Sequence, residues 1–149
     1  MARSAVNVWP APKGAVTAAR LVAAALVLAG GFIHLRLWAG GYRALPVIGP
    51  LFLANAVASA VVGIGLVFTV GRAMVTAGLA LSLGAMAALI TGSTVGLFGF
   101  SEGWSPSTLQ TLAAELGAIV AIGAAFTARQ MRIRAALVPL PVRSDRQGS

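Results

Sequence analysis

The sequence contains no cysteine, a single histidine and only three acidic residues. Without a thiol, the chain cannot form a disulfide, a thiolate metal site, a cysteine nucleophile or a covalent haem attachment. One histidine, His34, cannot supply both axial ligands of a haem or the several nitrogens of a histidine metal site. The acidic residues Glu102, Glu115 and Asp145 form no cluster with metal-ligand spacing. We therefore expect no metal and no cofactor.

Apolar residues dominate the remainder of the chain. Hydrophobic residues make up 58% of the 149 residues, charged residues 9%, and the mean hydropathy is +0.91. A soluble domain carries about 25% charged residues, because water must wet its surface. The composition therefore predicts an integral membrane protein rather than an unusually apolar soluble helical domain. The abundance of arginine, alanine, glycine and valine is typical of a GC-rich bacterial genome, which suggests a bacterial cytoplasmic (inner) membrane.

Four apolar stretches are each long enough to cross the hydrocarbon, which takes about 20 helical residues. The predicted spans are about 16–39, 47–70, 73–98 and 109–128. Short connectors between successive spans predict an all-α, four-transmembrane-helix bundle with up-down-up-down topology. A cytoplasmic tail (1–15) and a basic cytoplasmic tail (129–149) flank the transmembrane domain (16–128). Residues 1–29 also resemble a signal peptide, but the apolar run continues to Trp38, so we expect it to be the first span.

The positive charges predict the orientation of the bundle. With both termini in the cytoplasm, only Arg36 and Arg43 lie outside, which satisfies the positive-inside rule. The cytoplasmic cations would then be Arg3, Lys13, Arg20, Arg72, Arg129, Arg132, Arg134, Arg143 and Arg146. A short cationic flank beside a span usually determines topology or contacts anionic lipid, so we expect no nucleic-acid partner. The expected partners are the lipid bilayer and, as an open alternative, another membrane protein or a second copy.

Small residues recur at four-residue spacing along the spans, and such pairs allow helix backbones to approach closely in lipid. We interpret them as packing contacts within one bundle, and a dimerisation face is the alternative. The pairs are Ala54/Ala58, Ser59/Gly63, Ala80/Gly84/Ala88, Gly92/Gly96 and Ala114/Ala118.

All four spans offer hydrogen-bonding groups at a similar depth near the outer surface. At 1.5 Å per residue, His34, Asn55 and Glu115 lie about 8–12 Å below the outer ends of their spans. Thr91 and Thr94 share a face of the third span, about 5–10 Å below its outer end. These five residues are the predicted polar site.

Glu115 and His34 each allow a structural and a functional interpretation. A carboxyl group at membrane depth faces protein or a water-filled cavity. Glu115 is therefore either a neutral group bonded to a neighbour, a partner of Arg36 or Arg43, or part of a proton or ligand site. His34 is the obvious titrating group, but a lone histidine near a helix end is more often an anchor than a ligand.

A predicted outer rim surrounds this layer. Arg36, Tyr42 and Arg43 follow the first span, and Glu102 and Trp104 lie in the last outer connector. Amphipathic side chains at this level anchor a bundle in the headgroup region. We expect anchoring rather than recognition of an anionic headgroup, with Glu102 as the partner of Arg43.

Two segments resemble a group of small, uncharacterised four-helix membrane proteins from GC-rich bacteria. They are IHLRLWAGGYRALPVIGPLFLANAV (33–57) and VGLFGFSEGWS with the later LAAELGAIV (95–105 and 112–120). The resemblance implies the same fold and topology. The residues that match the group's motifs are His34, Tyr42, Arg43, Glu102 and Glu115. The group has no established activity, so the resemblance transfers no function; a likeness to DoxX-like quinone-oxidoreductase subunits rests on size and helix number.

Three functional hypotheses follow. The first is a non-enzymatic structural or accessory subunit whose polar layer holds the helices together or engages a partner. The second is a transport or sensing protein in which His34 and Glu115 line an outward-facing cavity. The third is a redox subunit that binds quinone or haem near His34 and Trp38. No nucleophile–base set or phosphate-binding loop is present in the sequence, which favours the first.

Overall fold

The computed structural model describes residues 13–101 and 103–137, and this part of the chain is helical without a strand. The four long helices are α1 (Lys13–Ala39), α2 (Ile48–Phe68), α3 (Arg72–Thr94) and α4 (Pro106–Ala136). A short 3-10 turn, Tyr42–Ala44, lies between α1 and α2. Each long helix has the length and apolar composition needed to cross a membrane. The predicted all-α fold with four helices long and apolar enough to span a membrane is therefore confirmed.

The third helix ends four residues earlier than predicted, at Thr94 instead of residue 98. The next residues enter the left-handed backbone region, with φ of 86° at Gly96, 50° at Phe98 and 76° at Gly99. Leu97 and Phe100 exchange backbone hydrogen bonds of 2.7 and 2.9 Å around this turn. Glycine adopts positive φ without steric cost, so the sequence GLFG folds into a tight turn although it is as apolar as the helix before it.

The fourth helix is longer than predicted at both ends. Its first residue is Pro106, and the Ser105 side chain accepts a hydrogen bond of 3.2 Å from the Thr108 amide, which caps the helix. Its last residue is Ala136, so the first eight residues of the predicted basic tail (129–149) are helical. Arginine, glutamine, methionine and alanine are good helix formers, and neither glycine nor proline interrupts 129–136.

The helices pack as a closed ring in which consecutive helices are neighbours and α4 returns to α1. The most extensive contacts join α1 to α2 and α4, whereas α2 and α3 touch least. The completely enclosed core residues are small or branched: Ala23, Leu66, Ala118, Ile122 and Ala125. Many large apolar side chains lie exposed on the outside, as expected for helices that face lipid.

Glycines show where the ring is tight and where it is open. A Cβ added at Gly31 would overlap the Cβ of Ser59, and one at Gly63 would lie 2.6 Å from Leu28 Cγ. Both contacts join α1 to α2, so the Ser59/Gly63 pair packs helices closely, as interpreted from the sequence. A Cβ at Gly84 would meet nothing within 4 Å. The small residues around Gly84 in α3 therefore do not bring α2 and α3 into close contact.

We predict opposite effects of alanine at two of these glycines. Gly31→Ala should destabilise the bundle by about 1–3 kcal/mol, because the added methyl group overpacks the α1–α2 contact. Gly84→Ala should leave stability unchanged or raise it by roughly 0.5–1 kcal/mol, because alanine favours the helix and has room. Thermal unfolding in mild detergent measures both. Equal effects of the two substitutions would contradict the conclusion that the helices pack tightly at Gly31 and leave open space at Gly84.

Candidate functional site

A cavity of about 410 Å³ lies between α2 and α3 and reaches inward to α1 and α4. Small residues form much of its α2 and α3 walls, including Ala54, Ala58, Gly84 and Ala88. The hydrogen-bonding side chains that line it are His34, Asn55, Ser93, Ser107, Thr108 and Thr111. The cavity therefore has a mainly apolar surface with a few polar groups, which is the usual composition of a small-molecule site.

His34 is buried in the wall that α1 contributes to this cavity. Its Nδ1 lies 2.9 Å from the carbonyl oxygen of Gly30 in the preceding turn. A carbonyl oxygen only accepts, so Nδ1 donates, and Nε2 of the neutral ring is an acceptor. The ring also meets Phe52 edge to face, with centroids 5.3 Å apart at 79°. These two contacts fix the ring orientation while Nε2 makes no hydrogen bond to the described residues.

An aromatic clasp, composed of Tyr42, Phe52 and Phe100, lies at the end of the bundle where two connectors meet. Tyr42 stacks on Phe52 with centroids 4.9 Å apart, and it meets Phe100 edge to face at 5.5 Å. Such ring pairs contribute about 0.5–1.5 kcal/mol each beyond the apolar area they bury. The clasp joins the α1–α2 connector to the α3–α4 connector. Phe52 and Phe100 also line the cavity, so the clasp forms its wall at this end.

Asn55 lines the same cavity from α2. Its Oδ1 accepts a hydrogen bond of 3.2 Å from Ser59, one turn further along the helix. The amide N–H groups of Asn55 form no hydrogen bond within the described part of the chain. On the opposite wall the Thr111 hydroxyl donates to the Ser107 carbonyl at 2.9 Å. The polar groups are therefore held by their own helices and still present donors and acceptors.

Glu115 is buried but does not line the cavity. Ser82 of α3 is its hydrogen-bonding partner, and His34 lies close enough to interact electrostatically. Gly30 of α1 also packs directly on the carboxyl group, because an added Cβ would lie 3.1 Å from Glu115 Oε1. The carboxyl group therefore sits where α1, α3 and α4 meet.

The other predicted site residues lie apart from this junction. Thr94 is exposed, and its hydroxyl donates to the carbonyl of Ile90 in its own helix at 2.7 Å. Thr91 is half-buried and is not part of the cavity wall. The structure thus brings together three of the five residues of the predicted polar site: His34 and Asn55 at the cavity, and Glu115 beside His34.

The rim residues take different positions. Arg36 lies over the Phe32 ring, 6.0 Å from its centroid, and Tyr42 belongs to the aromatic clasp. Arg43 and Trp104 are exposed. Glu102 lies outside the described residues, and the suggested pair with Arg43 lies outside them as well.

Several polar contributors were not predicted as site residues, namely Ser59, Ser82, Thr108 and Thr111. The spacing of Thr108, Thr111 and Glu115 in the sequence already indicated that they share a buried helix face. Steps of three and four residues place these side chains on one helix face, and the stripe continues through Ala118, Ile122 and Ala125. All six are buried. The described residues contain no group of three or more potential metal-ligating side chains.

No protein family, no curated protein and no solved structure matches this chain. The function is therefore argued from the cavity and the buried polar contacts.

We predict that removing the Ser82 hydroxyl destabilises the bundle. Ser82→Ala should cost about 1–2 kcal/mol, because the buried carboxyl group of Glu115 loses a hydrogen-bonding partner. The matched control is Thr94→Val, which removes an exposed hydroxyl from the same helix and should change stability by less than about 0.5 kcal/mol. Thermal unfolding in detergent compares the two. A smaller loss for Ser82→Ala than for Thr94→Val would contradict the assignment.

Proposed function

We propose that this chain is a non-enzymatic integral membrane protein, a small structural or accessory subunit whose polar layer near the outer surface fastens the helices. The observation that supports this role is the position of Glu115. Its carboxyl group is enclosed by Gly30 and Ser82 and is separate from the cavity wall. A group in this position serves contacts between helices.

The physical environment explains why such a fastening is useful. Lipid chains are as apolar as the side chains that face them, so there is little hydrophobic force between membrane helices. Packing and hydrogen bonds between helices must then select one arrangement. A buried carboxyl group with a partner on another helix does this, because an arrangement that separates the two would leave the carboxyl group unpaired in an apolar environment.

The proposal includes the bacterial cytoplasmic (inner) membrane, up-down-up-down topology and both termini in the cytoplasm. The distribution of arginines supports this orientation through the positive-inside rule. The Arg20 guanidinium group donates to the Phe68 carbonyl at 3.2 Å, so the start of α1 lies beside the end of α2, which supports the up-down arrangement of these two helices. A long cationic side chain near a helix end can reach the interface in this way. We also propose that the chain belongs to the small four-helix membrane proteins whose motifs its sequence resembles.

A second candidate function, transport or sensing, is favoured by one specific observation. His34 lines the cavity with a ring nitrogen that makes no hydrogen bond to the described residues. In this hypothesis His34 contacts the transported or sensed molecule, whereas Glu115 acts from behind the cavity wall.

We predict that Glu115→Gln keeps the bundle and its interactions, whereas Glu115→Leu weakens them. Glutamine has nearly the same shape and still hydrogen-bonds with Ser82, but leucine leaves that hydroxyl unpaired at a cost of about 1–3 kcal/mol. The measurements are thermal unfolding and the stoichiometry of co-purifying subunits after mild detergent extraction. Equal tolerance of both changes would contradict the fastening role. A pH-dependent transport activity that is abolished by Glu115→Gln would favour the second candidate.

We predict that labelling of single introduced cysteines will show both termini in the cytoplasm. The sequence has no cysteine of its own, so each introduced cysteine is the only reactive thiol. An impermeant maleimide added to spheroplasts should label Ser101→Cys, in the α3–α4 connector, but not Gly71→Cys, in the α2–α3 connector. A Cβ at Gly71 makes only ordinary contact, 3.5 Å from Thr69 Oγ1, so the substitution should be tolerated. Both sites should react after permeabilisation. Labelling of Gly71→Cys alone in intact spheroplasts would reverse the proposed topology.

A further inference from the structure

We propose that the cavity between α2 and α3 binds an uncharged lipid whose polar end is a hydroxyl group, such as a long-chain or isoprenoid alcohol. The inference is independent of the fastening role of Glu115. It rests on three properties of the cavity: the cause of the open space, the lack of charge on its walls, and the hydrogen-bonding groups that it presents.

The open space results from small side chains that do not bring their helices together. Gly84 faces the cavity, and a Cβ added there would meet no atom within 4 Å. At Gly31 and Gly63, by contrast, an added Cβ would strike the neighbouring helix. Gly84 and Ala88 are exposed, so the space of about 410 Å³ opens to the outside between α2 and α3, where a lipid can enter it. This volume lies within the range of small-molecule sites, about 300–1,000 Å³.

No arginine, lysine, aspartate or glutamate belongs to the described lining of the cavity. A phosphate or carboxylate would have to lose its water there without gaining a cation, which is strongly unfavourable. Glu115 lies behind the wall and is engaged with Ser82. The occupant is therefore uncharged.

The polar groups in the cavity call for a partner that both donates and accepts. His34 donates through Nδ1 to Gly30, so Nε2 of the neutral ring can accept a hydrogen bond from the occupant. Asn55 accepts from Ser59 through Oδ1, so its amide N–H groups can donate. A hydroxyl group can both donate and accept, whereas an ether or a carbonyl can only accept.

The aromatic clasp determines how this molecule would reach the site. Tyr42 and Phe100 lie at the connector end, so access is from the bilayer between α2 and α3, the neighbouring helices with the least extensive contact. A second copy of the chain is a poorer occupant. A helix is about 10–12 Å wide with its side chains, and His34 and Thr111 belong to α1 and α4, behind the gap between α2 and α3.

The test is photolabelling of the full-length protein in phosphatidylcholine vesicles with a diazirine-bearing hexadecanol. We expect the label on α2 and α3 peptides, with hexadecanol a better competitor than hexadecyl methyl ether or palmitate. Gly84→Leu should reduce labelling by about tenfold or more, because the leucine side chain occupies part of the cavity and narrows it between α2 and α3. The matched control is Gly123→Leu. Its Cβ also meets nothing within 4 Å, it lies outside the cavity, and it should keep wild-type labelling.

His34→Phe provides a second variant that should fold, because phenylalanine preserves the ring contact with Phe52. It should remove the preference for hexadecanol over the methyl ether, since Nε2 is lost. Three results would overturn the proposal: full labelling of Gly84→Leu, stronger competition by palmitate than by hexadecanol, or an unchanged alcohol preference in His34→Phe. A dimer that Gly84→Leu dissociates, without any alcohol-competed labelling, would overturn it in favour of an interface between copies.

Discussion

Close backbone approach between α1 and α2 is the constraint on which the rest of the bundle depends. Gly31 faces Ser59 and Gly63 faces Leu28, so a side chain at either glycine would displace the facing residue or the helix that carries it. In lipid this proximity must replace the hydrophobic force that drives packing in water. It also determines the position of His34, three residues beyond Gly31, because the ring can meet Phe52 only while the two helices stay close.

The tight contacts of α1 have a consequence on the opposite side of the ring. With α1 joined closely to α2 and α4, and α3 joined to α4, the remaining α2–α3 contact is the least extensive. Small residues on both of these helices then face an open space instead of each other. Identical four-residue spacings of small residues thus produce dense packing in one place and a cavity in another, because the outcome depends on which helix stands opposite.

The level of a residue along the bundle could be predicted from the sequence, but the direction of side chains around each helix could not. Counting residues along the spans was sufficient to place His34, Asn55 and Glu115 in one layer, because depth needs only the rise per residue. The direction in which a side chain points depends on which helices lie beside its own helix, and counting residues does not reveal this. Thr94 was therefore predicted to join the polar site, but it is exposed. The end of α3 adds a second error: it lies four residues earlier than predicted, so depths counted from that end were about 6 Å too large, and Ser82 lies closer to the level of Glu115 than the count indicated. The two glycines of GLFG indicated a turn after Thr94, but the apolar residues around them resemble a continuation of the helix.

The polar layer consists of two parts with different chemistry. Glu115 and Ser82 satisfy each other between α4 and α3, in a place that the cavity does not reach. His34 and Asn55 are each bonded to their own helix and still present an acceptor and donors to the cavity. His34 belongs to both parts, since Gly30 accepts its hydrogen bond and also packs on the Glu115 carboxyl group. The Glu115 carboxyl group is thus connected to the cavity only through Gly30 and His34, whereas Gly84 lines the cavity itself.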